Sequence, residues 1–392
     1  MKRKSPKSIV CFPFKKENTD VLLKNIREAL ASAEVGEVLC VGYEKNDCFN
    51  EIEDKVPEIE RKEGKRVHLM VQKRIGRKRP GKGDGMNTAL DFFIHHTPYD
   101  RIHFYDADIV SFNREWIERG ERKAEKGYQV VRFFFPKAST DGMITWNITK
   151  CGFAYNWPDT LLPHIEQPLG GELIIKREIA EKLLKDEKVL NCSDWGIDTA
   201  YTLAFCRYQA SLYEVYIKEG KLHKFYGKLT DLYSMLMECF AIIQEECKMK
   251  ISRGNVPYKK DRVEMVPKAI KEKRAFDVEG TFSLLRENWT EEEVKLLSFF
   301  PLRIREGMRL CQKVPEVRFM DPQTWYEAYG VLIDKFDRDK KAWRDLLFHL
   351  WVARVLNHTL YYASKKYDYA MRALCDMVSY FVQRRLNLDS AI

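Results

Sequence analysis

Apolar residues along the first two hundred or so positions follow two alternating rhythms, short unbroken runs and longer stretches with helical spacing. Residues 8–14 (SIVCFPF), 37–43 (EVLCVGY) and 67–72 (VHLMVQ) are continuous apolar runs, the pattern of strands buried on both faces. Between them, residues 19–33 place Val21, Leu22, Ile26 and Leu30 on one helical face, and residues 47–63 predict a second helix. Residues 85–95 repeat the helical spacing with Met86, Leu90, Phe93 and Ile94, and RIHFYDADIV (101–110) opens as a further strand. YQVVRFFF (128–135) and SLYEVYI (211–217) continue the series, and PLGGELII (168–175) predicts a return to the sheet, its Gly170 and Gly171 marking a tight turn or a close backbone approach. Residues 137–145 (KASTDGMIT) predict a polar loop, and Ser193 or Asp194 is expected to cap an apolar helix running to Phe205. Strands alternating with helices predict an α/β, Rossmann-like fold with a mainly parallel sheet, whose ligands bind outside the carboxyl ends of its strands.

From about residue 229 the pattern is helical only. Leu232, Leu236, Phe240 and Ile243 share one face, residues 252–274 are polar with two prolines, and Thr290 with Glu293 forms a capping box ahead of Val294, Leu296 and Leu297. Helices are expected at 343–360 and at 369–382, the latter with Met371, Leu374, Val378 and Phe381 on one face. No strand pattern is evident there. The expected division is therefore an α/β domain at 1–228 and an all-helical C-terminal domain at 229–392.

Composition narrows the function. With 392 residues, 45% of them hydrophobic, the chain can bury a sizeable core in two domains. Its longest apolar runs fall far short of the roughly 20 residues of a membrane-spanning helix, and no signal-peptide pattern opens it, so a cytoplasmic protein is expected. Ten cysteines occur without a C-x-x-C, which excludes a zinc ribbon or a dithiol redox motif and reads as small buried hydrophobes in a reducing compartment. The formal charge of +9 is dispersed among 58 acidic residues, a solvated surface rather than a nucleic-acid footprint. The exception is QKRIGRKRPGKGD (72–84), where cations and glycines concentrate: it calls for an anion, phosphate first, or is a solvated surface loop. Its glycines have neither dinucleotide nor phosphate-loop spacing, and no H-E-x-x-H or G-x-S-x-G occurs elsewhere.

Candidate chemistry centres on Asp106 and Asp108. In an extended strand, residues two apart project together, so the pair would suit a hard divalent cation carrying a diphosphate; a polar turn closing the strand is the alternative. Pro13-Phe14-Lys15 and Gly42-Tyr43-Glu44 end strands at the same expected edge. His223, in KEGKLHKFYG, would complete a metal site with the carboxylates or serve structure alone. Asp198 lies at a helix opening beside Trp195, as a working carboxylate, a cap or a surface group.

These residues also sit in longer blocks. PFK (13–15), VGYE (41–44), RPGKGDGMNTAL (79–90), RIHFYDADI (101–109), STDGMITW (139–146), EQPLGGEL (166–173), SDWGIDT (193–199), EGKLHKFYG (219–227) and YSMLMECFA (233–241) resemble the mannosylglycerate synthase family, as do FMDPQTW (319–325) and YDYA (367–370) more loosely. The resemblance is collinear over nearly the whole chain. It implies a retaining, metal-dependent GT-A glycosyltransferase that moves mannose from GDP-mannose to D-glycerate, giving the compatible solute mannosylglycerate. It implies Asp106 and Asp108 as a DxD motif, with Asp108 and His223 holding Mg²⁺ or Mn²⁺. Pro13, Phe14, Lys15, Tyr43, Gln72, Lys82, Asp106, Ala107 and Leu169 fall to the donor, Lys137, Thr145 and Trp195 to the acceptor, and Asp106, Asp108, Asp198 and Lys82 to catalysis. A homo-oligomer is expected, with no nucleic acid or membrane partner. One departure stands out. The family places an arginine where this chain has Lys137, and an ammonium does not reproduce the two-pronged grip of a guanidinium on a carboxylate. Gly142 replaces a larger residue in the same loop. The nearest alternative is a glucosylglycerate synthase or another sugar-nucleotide transferase on the same fold; a nucleotidyltransferase and a basic RNA-binding protein are more distant ones.

Overall fold

The structure, a computed structural model, describes residues 6–75, 80–222, 227–251, 256–286 and 289–389. Its first unit alternates as the pattern predicts through β1 (Ser8–Phe14), α1 (Thr19–Leu30), β2 (Val35–Gly42), α2 (Asp47–Glu63), β3 (Arg66–Val71), α3 (Lys82–His96) and β4 (Arg101–Phe104); α4 (Arg114–Ala124), for which the pattern offers no expectation, then leads to the expected β5 (Val130–Phe134). Local chemistry sets several ends. Asn18 and Asn46 cap α1 and α2 by accepting the Val21 and Phe49 N–H groups, and Gly64 closes α2 in the left-handed region. After α5 (Cys151–Asn156) come β6 (Leu173–Lys176), α6 (Arg177–Leu183), α7 (Glu187–Leu190), α8 (Ile197–Arg207), β7 (Leu212–Tyr216), α9 (Tyr233–Glu245) and β8 (Tyr258–Lys260).

The sheet has the order β3-β2-β1-β4-β6-β5-β7-β8. β1 pairs in parallel with β2 and β4, β2 with β3, β5 with β7 and β7 with β8, while β6 runs antiparallel to both β4 and β5. The expected mainly parallel sheet is thus present. Because β6 is reversed, its first residues stand at the edge where β4 and β5 finish, so the segment entering β6 joins the carboxyl ends of the other strands. Val10, Phe12, Val38, Cys40, Val131, Phe133 and Val215 of the strands pack with Leu22, Ile26, Ile52, Trp116 and Ile117 of the helices in one apolar core, which explains the unbroken apolar runs.

The chain divides into two compact units that do not follow a single cut. One comprises Met1–Pro136, Ile165–Lys224 and Gly254–Val266, the other Lys137–His164, Phe225–Arg253 and Pro267–Ile392. The sequence pattern suggests one cut near 228; the contacts instead send residues 137–164 to the helical unit and return 254–266 to the sheet unit. β8 accounts for the return. It lies in a stretch without strand pattern because it is three residues long, with only Tyr258 partly covered, and its backbone bonds to β7 rather than any apolar face hold it. The second unit joins α5 and α9 to α10 (Lys268–Lys271), α11 (Val278–Arg286), α12 (Glu291–Leu296), α13 (Leu302–Cys311), α14 (Pro322–Lys335), α15 (Lys341–His358) and α16 (Tyr367–Asp389). The Thr290–Glu293 capping box forms as its spacing predicts. Eight of the ten cysteines are buried, and all are free thiols. Among the described residues no helix is long and apolar enough to cross a membrane.

Candidate active site

Asp106 and Asp108 lie beyond β4, which ends at Phe104, so a turn and not strand alternation presents them. The turn is built from below by α1. Asn25, fully buried, donates its side-chain amide to the carbonyls of Ala107 (3.3 Å) and Ile109 (3.0 Å), and Lys24 Nζ reaches the Val110 carbonyl at 3.0 Å. From the other side, Val110 N–H donates to the Leu222 carbonyl (2.8 Å), and the Ser111 hydroxyl donates to the Gly220 carbonyl (2.9 Å) and accepts the Leu222 N–H (3.0 Å). The chain leaving β7 is thereby laced to the turn that carries the two aspartates. His223 and residues 76–79 of the basic segment lie outside the described residues.

The aspartates meet lysines. Asp106 Oδ2 pairs with Lys221 Nζ at 2.5 Å and Asp106 Oδ1 with Lys82 Nζ at 3.4 Å; Lys82 Nζ also pairs with Asp198 Oδ2 at 3.0 Å, and Lys221 Nζ with Glu172 Oε1 at 2.6 Å. The result is a ladder of alternating charge, Asp198–Lys82–Asp106–Lys221–Glu172, assembled from α8, α3, the β4 exit, the β7 exit and the entry to β6. Burial alone would raise the Asp106 carboxyl, but Lys221 and then Lys82 hold it well below the usual carboxylate range. Glu172, wholly buried, is pushed by burial to about 7 against the pull of Lys221. Burial works against both ammonium groups, yet Asp106 first, then Asp198 for Lys82 and Glu172 for Lys221, raises them above the ordinary lysine value. Asp198 is buried in the first turn of α8, and among the described residues its Oδ1 has no hydrogen-bond partner.

Glycines let these pieces close up. A Cβ on Gly171 would stand 2.6 Å from Asp106 Oδ1 and 2.7 Å from Lys82 Nζ, so the expected close backbone approach at PLGG is real. Arg132, buried on β5, fixes that turn by donating to the Gln167 carbonyl (2.9 Å) and to Thr202 Oγ1 (2.6 Å) of α8. The GKGDG stretch, read as a loop open to an anion, is instead the start of α3: Lys82 to Gly85 are helical, with Gly81 at the cap. Its leading amides have protein partners, Lys82 N–H on Asp194 Oδ1 (3.2 Å) and Asp84 N–H on the Ser193 carbonyl (3.1 Å). Gly81 and Gly83 serve this contact, since a Cβ on either would lie 2.1 Å from the Asp194 carboxylate or 2.0 Å from the Cys192 carbonyl. Asp194 therefore satisfies the head of α3, and α8 begins at Gly196 without a side-chain cap from Ser193 or Asp194.

The remaining expected residues fall in two places. Tyr43 N–H bonds the Phe14 carbonyl and Gln72 N–H the Gly42 carbonyl, both 2.8 Å, and Lys15 Nζ lies 4.1 Å from the Tyr43 ring centre. Gly85 faces both Gln72 Oε1 and the Pro13 side chain. The ends of β1, β2 and β3 thus converge near the start of α3. Ala107 is buried, while Leu169 and Trp195 are partly exposed on the PLGG turn and before α8. Lys137 and Thr145 belong to the second unit, where Gly142 at φ +67° leaves a gap that its missing Cβ would fill 3.4 Å from Lys137 Nζ and 3.8 Å from the Thr145 side chain. Glu172, Lys221, Asn25 and Arg132 are the members that sequence reasoning missed. The one signal for Glu172 is a carboxylate after two glycines and directly before an apolar strand; Lys221 shares the block that directs attention to His223.

For a divalent cation, the donor chemistry fits. Oxygen ligands are gathered at the β4 exit, and Glu17, raised chiefly by burial, is raised further by Asp108 and Asp106 beside it. Among the described residues alone, no three acidic, histidine or cysteine side chains form a complete metal cluster. Both oxygens of Asp106 are engaged by lysines.

A mainly parallel α/β unit with carboxylates and lysines at the carboxyl ends of its strands, followed by a helical unit, is the build of a GT-A glycosyltransferase. Residues 8–245 match the family model described as mannosylglycerate synthase, GT domain, and residues 270–378 match the mannosylglycerate synthase C-terminal domain. The chain is 48% identical over 371 residues to a mannosylglycerate synthase of Rhodothermus marinus, covering 95% of this chain and 93% of that protein. It is 46% identical over 373 residues to a mannosylglycerate synthase of Selaginella moellendorffii, covering 95% and 88%. A glucosyl-3-phosphoglycerate synthase from Mycobacterium tuberculosis, solved with Mg²⁺ and uridine diphosphate, superposes at a TM-score of 0.48 and 19% identity over 63% of this chain and 81% of that chain. The chain belongs to the mannosylglycerate synthase family and is a glycosyltransferase.

Proposed function

We propose that this enzyme transfers mannose from GDP-mannose to D-glycerate with retention of anomeric configuration, forming mannosylglycerate. The observation that carries the reading is the Lys82 ammonium bridging Asp106 and Asp198 at the carboxyl edge of the sheet. Residues Pro13, Phe14, Lys15, Tyr43, Gln72, Ala107 and Leu169 are assigned to the nucleotide and its phosphates. A divalent cation, Mg²⁺ or Mn²⁺, would be held by Asp108 and His223 and would supply positive charge to the departing diphosphate. The lacing of Gly220–Leu222 to Val110–Ser111 supports pairing these two ligands.

The protein's own groups divide the remaining work. Lys82 donates to phosphate oxygen as the bond to the sugar lengthens, and its charge is preorganised because Asp106 and Asp198 already hold it. Asp106 orients the donor through the ribose or a water. Asp198, buried with one oxygen unpartnered among the described residues, orients the acceptor or accepts its proton. Lys137, Thr145 and Trp195 are assigned to the acceptor, Lys137 to its carboxylate as a point charge. Retention brings the acceptor hydroxyl to the face the diphosphate leaves, by front-side attack or by two displacements.

A product assay by NMR, offering GDP-mannose, GDP-glucose and UDP-glucose against D-glycerate and lactate, tests the reading. Mannosylglycerate from GDP-mannose, with the donor's configuration kept, is expected; preferential transfer from a glucose donor, or inversion, would overturn it. The metal assignment is checked separately by Mn²⁺ titration of Asp108→Ala and His223→Ala, each of which should lose most of the metal binding.

A further inference from the structure

The helical unit carries a pattern that the transfer reaction does not explain. Among the described residues, five main-chain carbonyls between Lys137 and Ile148 accept hydrogen bonds from aromatic or imidazole side chains of its last three helices. Tyr367 O–H of α16 donates to Lys137 (2.9 Å), His358 Nε2 of α15 to Ser139 (2.8 Å), and Trp351 Nε1 of α15 to Met143 (3.4 Å). Trp325 Nε1 and Tyr329 O–H of α14 then donate to Asn147 and Ile148, each at 2.9 Å. Thr140 joins from its side chain, its Oγ1 accepting the Ala275 N–H at 3.0 Å. All these donors come from at least 135 residues further along the chain.

We infer that these helices are a positioning device for the acceptor segment. This rests on the reading that Lys137 and Thr145 hold the acceptor. Three features argue for it. These five donors take carbonyls, so they set the path of the segment without themselves engaging the Lys137 or Thr145 side chain. Their stiff rings have few torsions to lose when ordered, so each bond locates its carbonyl at small entropic cost. The segment also passes directly into a π-helical turn, Thr145–Lys150, a strained form of helix that persists where surroundings over-determine it. Two of the five bonds fall on that turn. Lys137 Nζ and the Thr145 side chain both lie beside Gly142, so the placement of the two acceptor groups follows the path that the rings impose. His358 is itself held as a donor: a carbonyl can only accept, so Nε2 carries the proton, and Tyr362 stacks on the ring at 5.8 Å. The specificity of the acceptor pocket is therefore written partly in α14, α15 and α16.

The test uses the full-length enzyme with Tyr367→Phe, which deletes one hydroxyl, and with His358→Leu against His358→Gln, whose amide can restore the donor. Hydrogen–deuterium exchange needs no substrate. Tyr367→Phe and His358→Leu should speed exchange of amides within 137–148 while β1 to β4 stay as in wild type; unchanged exchange there, or faster exchange everywhere, overturns the mooring. In kinetics, both variants should raise the acceptor KM ~2- to 10-fold, the worth of one net hydrogen bond, with the KM for GDP-mannose unchanged, and His358→Gln should recover most of the loss. Donor and acceptor KM rising together, or neither moving, overturns the positioning role. A wild-type enzyme that glycosylates no 2-hydroxy acid would instead defeat the acceptor reading, leaving the exchange result to decide the mooring alone.

Discussion

Single side chains in this site act through neighbours that no local pattern pairs with them. Lys82 is the clearest case: it stands between Asp106 and Asp198, 116 residues from the latter. Lys82→Met keeps the length and removes the charge, so under the proposed function the diphosphate loses a preorganised partner while Asp106 retains Lys221. A fall in kcat of ~10²- to 10³-fold is expected, with far-UV circular dichroism unchanged; a drop below tenfold would remove Lys82 from the chemistry. Lys137 makes the opposite kind of prediction. Lys137→Arg offers a carboxylate two parallel N–H groups, and Gly142 opposite leaves room for the larger head. The KM for glycerate should fall ~3- to 10-fold, measured by coupled release of GDP, and an unaltered KM for glycerate and lactate alike would detach this residue from the acceptor.

At the scale of elements, the start of α3 shows how a motif can be read in the right place for the wrong reason. GKGDG closes a basic segment read either as calling for an anion or as a solvated surface loop, but its first amides bond to Ser193 and Asp194 and its glycines admit the 192–194 segment. The two central glycines should therefore respond differently to a methyl group. In Gly83→Ala the new carbon meets a main-chain carbonyl that cannot turn aside, which should cost about 1–3 kcal/mol in urea unfolding. In Gly85→Ala it meets Gln72 Oε1 at 3.4 Å and Pro13 at 3.6 Å, ordinary contacts. Stability should rise by about 0.5–1 kcal/mol from the helix propensity gained, while the KM for the nucleotide sugar rises. Equal behaviour of the two variants would contradict the packing described for α3.

Across each unit as a whole, buried polar groups link stability to pH. In the helical unit, burial first and Arg354 second lower the His358 ring to about 4, with its bond to the Ser139 carbonyl opposing them. Above the ordinary histidine value of 6.5 the ring is neutral whether folded or not, and its contribution is complete. As pH falls below that, the unfolded chain takes up the proton first, so stability is lost progressively down to about 4, by up to roughly 3 kcal/mol. Urea midpoints from pH 7.5 to 4.5 should show this slope in the wild type and a shallower one in His358→Gln. The same slope in both would assign the acid sensitivity elsewhere.

The sequence by itself determined what backbone periodicity and local capping encode. The runs at β1, β2, β4, β5 and β7 mark largely buried strands and the run at β3 a strand that is only partly covered, the spacing of α1 and α16 marks their buried sides, and Thr290 with Glu293 declares the start of α12. It also marked Asp106, Asp108 and Asp198 as carboxylates worth attention, and its collinear blocks carried the family resemblance. Tertiary structure alone decided the rest. Lys221 and Glu172 join the site because β6 runs antiparallel, which brings the Gly171–Glu172 entry to the edge where β4 and β7 end. β8 is a strand because β7 offers it backbone partners, and residues 137–164 belong with the helices because distant rings bond their carbonyls. Periodicity reports which side of a local segment is buried. An ion pair or a carbonyl bond across a hundred residues depends instead on the order and direction of strands and on the packing of helices, and leaves no repeating mark in the chain.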